Sequence, residues 1–127
     1  MFRIVPQLTV KGVKASSQFY EERLGFTVTV LDPPDSPVFA ALEREEASLF
    51  LVSEASREEQ YQIDDLAANK RGVGVRLYLE VDDARPVYEA LRNTGVEIVR
   101  ELAYNEREDY TEFSFLDPDG YEIGVYS

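Results

Sequence analysis

An internal duplication limits the folds open to this sequence more than any other feature. In the first copy, the apolar segment 8–10 leads through a helix-like stretch to Gly25. In the second copy, the segment 79–81 leads through a similar stretch to Gly95. The segments lie 71 residues apart and the glycines 70 residues apart. A repeat at about half the chain length is too long for a solenoid period, so it indicates two similar modules that bury their apolar faces together.

The first copy has the pattern of one strand, one helix and three further strands. Alternation over residues 3–10 predicts a strand, and Pro6 indicates an edge position or an irregularity. A helix is predicted over 13–23, ending at Gly25. Its apolar positions are Ala15, Phe19 and Tyr20. Three apolar runs separated by turn-rich or charged segments predict strands at 26–31, 38–42 and 47–52.

The second copy repeats this order. Residues 73–81 alternate as a strand does, and residues 83–93 have helical spacing before Gly95. The predicted helix core is Ala84, Val87, Tyr88 and Leu91. Three more strands are predicted at 96–102, 111–116 and 121–126. The segment Asp117–Gly120 has Asp, Pro and Gly where a type I turn prefers them, so its carboxylates are predicted to form the turn rather than bind a ligand.

Between the copies, residues 54–71 are polar and charged, and they predict a linker with a short helix around 64–69. The 127 residues are enough for one compact domain and too few for two independent ones. The sequence therefore predicts a single α+β domain built from two βαβββ modules, 1–53 and 72–127.

Composition excludes several classes of chemistry. The chain has neither Cys nor His, which removes disulfides, thiolate catalysis, zinc–thiolate sites, imidazole ligands and the usual general base. The net charge of −12 would repel a nucleic acid backbone. The same charge leaves a cationic ligand open, although a solvated acidic surface is the simpler interpretation. No apolar run approaches the roughly 20 residues needed to cross a bilayer, so we expect a cytoplasmic protein without a membrane partner.

The duplicated segments resemble the vicinal oxygen chelate superfamily, which includes glyoxalase I, extradiol dioxygenases, and fosfomycin- and bleomycin-resistance proteins. The resemblance covers nearly the whole chain and rests on the order and spacing of its weak individual motifs. These are Leu8-Thr9-Val10, Phe19-Tyr20, Leu24-Gly25-Phe26 and Phe115-Leu116-Asp117-Pro118-Asp119-Gly120-Tyr121. It implies paired modules that curve into a ligand-holding cup, and subunits that associate as homodimers.

Enzymes of this superfamily bind a divalent metal through His, Glu or Gln on the first and last strands of each module. The resemblance places those positions at Val5, Phe50, Arg76 and Gly124. None of these side chains can replace an imidazole or carboxylate donor, and a guanidinium would repel a metal. We therefore expect no metal and no other cofactor.

Strand alternation predicts which residues face away from the helices and line the cup. The candidate ligand-binding residues on this face are Gln7, Phe50, Arg76, Tyr78 and Glu122. Such a mixture suits an organic molecule oriented by a few polar groups. Arg76 could pair with a ligand carboxylate or phosphate, or with Glu122 across the sheet, and the sequence leaves both open. Tyr104 and Tyr110 bracket an acidic loop that either caps the cup against a cation or is a solvated hairpin.

The sequence thus favours a metal-independent binder of a small organic molecule, of the kind found among bleomycin-resistance proteins, with no catalytic residues. Two alternatives stay open. One is an enzyme of the same superfamily, such as a lyase, isomerase or dioxygenase type, that would use Glu122, Arg76 or Tyr78. The other is a non-catalytic interaction or regulatory module, because a fold by itself does not determine a function.

Overall fold

The computed structural model describes residues 2–56 and 69–127. The chain divides into two compact units, Met1–Asn69 and Lys70–Ser127. Each unit contains one helix of the βαβββ pattern and one four-stranded mixed sheet. The α+β class and the two modules that the duplication predicted are confirmed. The short helix predicted around 64–69 falls almost entirely outside the described residues.

The first unit pairs its strands in the order β1-β4-β3-β2. β1 runs parallel to β4, and the other neighbours are antiparallel. A 3₁₀ turn over Glu54–Ser56 follows the last strand. The elements are β1 (Gln7–Val10), α1 (Val13–Leu24), β2 (Thr27–Asp32), β3 (Phe39–Arg44) and β4 (Ala47–Ser53).

The second unit has the equivalent order β5-β8-β7-β6. β5 runs parallel to β8, and the remaining pairs are antiparallel. Each predicted strand from 96 onward is present, with ends shifted by at most three residues. The elements are β5 (Leu77–Glu80), α2 (Ala84–Leu91), β6 (Ile98–Asn105), β7 (Tyr110–Leu116) and β8 (Glu122–Tyr126).

The strand registers show that the duplication extends to individual residue pairs. Gln7 lies opposite Phe50 in the first sheet, and Tyr78 lies opposite Gly124 in the second. Even the irregularities match, because the ladder shifts between Val28 and Val30 in one sheet and at 98–100 in the other. A residue in one module can therefore be compared with its equivalent in the other.

The two helices cover one face of their own sheets. α1 ends at Gly25, whose positive φ of 70° and backbone N–H bonded to the Glu21 carbonyl are typical of a glycine C-cap. α2 begins after Asp83, whose side chain accepts a hydrogen bond from the Arg85 amide at 3.1 Å. The predicted ends of both helices are confirmed within two residues.

The buried side chains differ in part from those predicted. Ala84, Tyr88 and Leu91 are buried in α2 as expected, and Val87 is half-buried. In α1, however, Ala15 is exposed and Phe19 only half-buried, so that part of the prediction was wrong. Ser16 and Ser17 are buried instead. Their small side chains fit where the helix packs closely against the sheet. The buried residues of α1 are Val13, Ser16, Ser17, Tyr20 and Leu24.

The first strand of each module is shorter than the alternation predicted. Residues 3–6 form no strand, and Ile4 is 85% exposed. Pro6 cannot donate a ladder hydrogen bond, and β1 begins immediately after it. Residues 71–74 form a turn in which Gly72 and Gly74 have positive φ, so the second strand begins only at Leu77. Alternating valines alone do not make a strand where the backbone turns.

The turn at 117–120 matches its prediction. The Gly120 amide donates to the Asp117 carbonyl at 3.0 Å, which closes the turn. The buried Asp117 carboxylate accepts from the amides of Asp119 and Tyr121, both at 2.9 Å. Asp117 is thus a turn-forming carboxylate. Among the helices of the described residues, none is long and apolar enough to cross a membrane.

Candidate functional site

Each sheet has a second face, opposite its helix, and we call this the open face. Residues paired across a sheet point to the same side, so the registers define which residues share it. In the second module, one row across the open face runs Tyr78, Gly124, Ser114 and Arg100. The neighbouring row contains Tyr126 and Glu112. This face therefore holds most of the charged and aromatic residues that the sequence singled out in the second module.

The Tyr78 ring lies directly over Gly124. A Cβ added to Gly124 would stand 2.5 Å from Tyr78 Cε1 and 2.7 Å from Cδ1, closer than real Cβ atoms approach. Because these atoms belong to the body of a planar ring, the whole side chain would have to swing away. Gly124 is thus the residue that allows Tyr78 to lie flat against β8.

Arg76, Glu122, Arg100 and Glu112 form an alternating chain of charges on this face. Arg76 Nε lies 2.8 Å from Glu122 Oε2, and Arg100 Nε lies 3.9 Å from the same oxygen. Arg100 Nη1 lies 3.1 Å from Glu112 Oε1. Both guanidiniums also donate to the Tyr78 hydroxyl, at 3.3 Å from Arg76 and 2.9 Å from Arg100. The sequence left open whether Arg76 pairs with a ligand anion or with Glu122. The structure contains the Arg76–Glu122 pair.

The surroundings of Glu122 favour the ionised form of its carboxyl group. Burial raises the pKa of this carboxyl, but the Ser114 hydroxyl and the Arg76 and Arg100 guanidiniums outweigh it and lower the pKa. Within residues 69–127, Glu122 Oε2 makes no aligned hydrogen bond, and the nearby positive charge of Arg76 stabilises it. The Tyr78 hydroxyl and Glu122 in turn raise the pKa of Arg76, so that the pair is charged at neutral pH.

Tyrosines extend the open face toward the end of β8. The Tyr78 and Tyr126 rings contact edge to face with centroids 5.9 Å apart. The Tyr126 hydroxyl donates to Glu80 at 3.1 Å, and this bond raises the pKa of Tyr126. The Tyr126 phenol is therefore a neutral hydrogen-bonding group on a surface of paired charges.

The open face of the first module is apolar by comparison. Its equivalent row runs Gln7, Phe50, Ala41 and Val30. The Phe50 ring packs against Phe39 with centroids 5.3 Å apart. Gln7 and Phe50, both predicted ligand-binding residues, are thus neighbours in this module.

Tyr104 and Tyr110 lie at the far end of the β6–β7 hairpin from Glu122. Tyr104 pairs with Thr111, one residue out of phase with Glu112, so it points away from the open face. It is 59% exposed and donates to Asp109 at 2.7 Å. The Asn105 side chain donates to the Tyr110 hydroxyl at 3.4 Å. The structure thus places these two tyrosines in a self-contained hairpin rather than beside Arg76 and Glu122.

The residues at the metal-ligand positions implied by the resemblance do not fit a metal. Val5 and Phe50 carry no donor atoms, and Arg76 carries a positive charge. At Gly124 the space for a side chain is taken by the Tyr78 ring. In the ranges 2–56 and 69–127, no three Asp or Glu residues are grouped as metal ligands would be. The four implied positions therefore offer no side-chain donors to a metal.

A cleft of about 770 Å³ adjoins the charged face in the second module. Arg76 and Glu122 form part of its wall, together with the loop 70–75 that precedes them. Apolar side chains from β6 and β7, Val99 and Leu116, form another part. This volume lies within the range of about 300 to 1,000 Å³ that is usual for small-molecule sites.

Sequence reasoning missed several residues of this site. Arg100 and Glu112 complete the charge network, and Lys70, Val73 and Val99 line the cleft. Alternation along β7 could have placed Glu112 on the same face as Ser114, but the irregularities on both sides of Arg100 interrupt the alternation of β6. The loop residues carried a signal in their glycines, which favour a turn over a strand.

The sequence matches the family model described as the Glyoxalase/Bleomycin resistance protein/Dioxygenase superfamily over residues 3–125. No functionally curated protein matches the chain.

Solved structures share the fold over almost the whole chain. A glyoxalase/bleomycin resistance protein/dioxygenase from Nocardioides has a TM-score of 0.74 and 24% identity, covering 99% of this chain and 83% of its own. A superfamily member from Sphaerobacter thermophilus has a TM-score of 0.72 and 19% identity, covering 99% and 97%. An integron cassette protein from the mobile metagenome of V. Pseudocholerae has a TM-score of 0.70 and 25% identity, covering 99% and 96%.

Proposed function

Because this chain belongs to the Glyoxalase/Bleomycin resistance protein/Dioxygenase superfamily, we propose that it binds a small organic molecule without a metal and without chemical conversion. The observation that carries the proposal is the junction of a 770 Å³ cleft with an ordered polar and aromatic face in one module. Sites of this kind combine apolar contact with a few positioned polar groups.

The polar groups of the proposed site are held in place before a ligand arrives. Arg76 is fixed by Glu122 on one side and by the Tyr78 hydroxyl on the other. Tyr78 itself is fixed by Gly124 beneath its ring and by Arg100 at its hydroxyl. Preorganised groups lose little conformational freedom on binding, so their interactions contribute more fully to affinity.

The chemistry of the face supports binding over catalysis. A general base works best with a pKa near the operating pH, but the pKa of Glu122 is lowered. The partners of Arg76 and of Tyr126 raise the pKa of each, which favours their protonated states. These groups can orient a ligand, and they are poorly suited to exchange protons with it at neutral pH.

Within this proposal, sequestration of an antibiotic or a metabolite by a cytoplasmic homodimer is the specific role that the superfamily suggests. Sequestration requires affinity and no turnover, which agrees with a face whose charged groups are poorly suited to proton exchange.

A ligand screen by thermal shift in the presence of a chelator tests the proposal. Ligand at 100 times its dissociation constant should stabilise the protein by about 2.7 kcal/mol. Arg76→Ala should lose the shift, whereas Arg107→Ala should keep it, because Arg107 is an exposed hairpin residue outside the cleft. Phe50→Ala tests whether the first module contributes to binding. A screen without hits, or hits that need added metal, would contradict the proposal.

A further inference from the structure

The lining of the cleft in the second module combines carboxylates, apolar surface and a cluster of positive charge. Three cations, Lys70, Arg71 and Arg76, lie within seven residues that contain no carboxylate, in a chain whose net charge is −12. All three contribute to the wall of the cleft. The same loop exposes valines to the cleft, with Val73 76% and Val75 59% exposed. An anionic group and an apolar body would each find a partner here.

The loop has a defined shape. The Val75 amide donates to the Gly72 carbonyl at 2.9 Å, which closes a turn over residues 72–75. Gly72 has a positive φ of 67°, and a Cβ there would stand 2.9 Å from the Tyr121 ring. The glycine is therefore required for the loop to pack against Tyr121. This packing keeps the flanking residues at the cleft.

The charge chain on the open face presents its cationic end to the cleft. Arg76 and Glu122 line the cleft, whereas Arg100 and Glu112, at the other end of the chain, do not. Glu122 is shared by two guanidiniums, so it neutralises neither of them fully. It is also the less available partner for a ligand cation, because its own charge is already satisfied.

Arg76 retains hydrogen-bond donors for a ligand. A guanidinium has five N–H donors. Within residues 69–127, Nε faces Glu122 and Nη1 faces the Tyr78 hydroxyl, which leaves the Nη2 donors. A planar fork with free N–H groups is the usual partner of a carboxylate or phosphate.

Carboxylates also line part of the cleft, and they limit where an anion can lie. Glu97 and Asp119 contribute to the wall along with Val99 and Gly120. The anionic group of a ligand would be repelled from these residues and drawn to the loop. The ligand is thereby given a direction, with its anionic group at Lys70 and Arg76 and its apolar body toward Val99 and Leu116.

We infer that the cleft binds an organic anion, a carboxylate or phosphate joined to a small apolar body, with its anionic group at Lys70 and Arg76. This inference rests on the proposed binding function and specifies the class of ligand. It assigns an anionic rather than a cationic ligand to the cleft, with Arg76 as one of its partners.

The test is a titration of the ¹⁵N-labelled protein followed by amide chemical shifts. The probes are 4-methylpentanoate and phenyl phosphate as the two kinds of anion. Their controls are neutral 4-methylpentanamide, cationic isoamylammonium and inorganic phosphate, which lacks an apolar body. At least one of the two organic anions should shift the amide signals of residues 70–76. High salt should weaken this binding, because it screens the charges.

Matched variants separate the cations at the cleft from a cation elsewhere on the second module. Arg76→Gln and Lys70→Gln should each weaken anion binding by about tenfold, the loss of one charged contact. Arg107→Gln removes an exposed guanidinium of the hairpin that lies outside the cleft, and it should change the affinity by less than about twofold. Lys70 is exposed, so Lys70→Gln keeps the test valid even where Arg76→Gln disturbs folding.

Failure of the inference can be distinguished from failure of the proposed function. Equal binding of the amide, or stronger binding of the ammonium, would overturn the anionic class and leave small-molecule binding in place. Absence of shifts for every probe would overturn the anionic class. If a broad thermal-shift screen also found no ligand, the proposed function would fail with it.

Discussion

The two modules share a backbone plan and differ on their open faces. Phe50 in the first module occupies the place of Gly124 in the second. By the same registers, Phe39 corresponds to Glu112, and Val30 corresponds to Arg100. Apolar rings in one module are thus replaced by a charge network with a tyrosine over a glycine in the other.

The helix-facing sides of the two sheets have not diverged in this way. Leu51 and Val125 are equivalent and fully buried, as are Leu42 and Phe115. Packing against a helix requires apolar volume in both modules, whereas the open face has no such requirement. The two copies have therefore diverged on their open faces, and we propose a structural role for the first open face and ligand binding for the second.

The largest expected effect tests the structural role of the first open face. Phe50→Ala should lower the free energy of unfolding by about 2 kcal/mol, because a half-buried ring and its contact with Phe39 are lost. Urea denaturation measures this change. A loss below about 0.5 kcal/mol would show that the ring does not stabilise the module and would break the contrast.

The next effect concerns Gly124. Gly124→Ala should cost about 1 kcal/mol, since the new methyl group displaces the Tyr78 ring. Tyr78→Ala should remove most of that cost when the two changes are combined. A double-mutant cycle by urea denaturation measures the coupling. Additive effects would mean that the ring does not lie over the glycine in solution.

A smaller effect is expected for the charge network. Arg100→Ala should lower the free energy of unfolding by about 0.5 kcal/mol, because partly exposed ion pairs contribute little and are screened by salt. The variant and the parent should converge in 1 M NaCl. A loss of several kcal/mol that persists in salt would indicate that this face, too, is primarily structural.

The smallest effect is the pH dependence of Glu122. Its pKa is lowered in the folded protein from the ordinary value of 4.5. Its stabilising contribution is therefore complete above the unfolded-state pKa and is lost as the pH falls through the lower folded pKa. The free energy of unfolding of Glu122→Gln should change less with pH than that of the parent in this acidic range. Carbon-detected NMR of the carboxyl groups measures the pKa directly, and a value above 4.5 would contradict the ion-pair network.

Much of the fold follows from the sequence because the two copies check each other. The glycines after both helices and the apolar runs of both modules predicted the βαβββ order, and the registers confirm it residue by residue. The predictions failed where a single residue changed the backbone. Pro6 delays β1, and the turn at Gly72 and Gly74 delays β5.

The site was predictable only in part. Alternation placed Arg76, Tyr78 and Glu122 on one face, and they do contact one another. Arg100 was missed because its approach to Glu122 depends on pairing between distant strands, which a periodic pattern does not specify. The single-domain arrangement and the cup between the modules stay predictions.

The most direct measurement of the central claim is a map of amide shifts caused by a ligand found in the chelator-containing screen. The largest shifts are expected in 70–80, 97–100 and 112–126, the cleft and open face of the second module. Added divalent metal should leave the map unchanged. Shifts centred on Phe39 and Phe50, or binding that requires the metal, would contradict it.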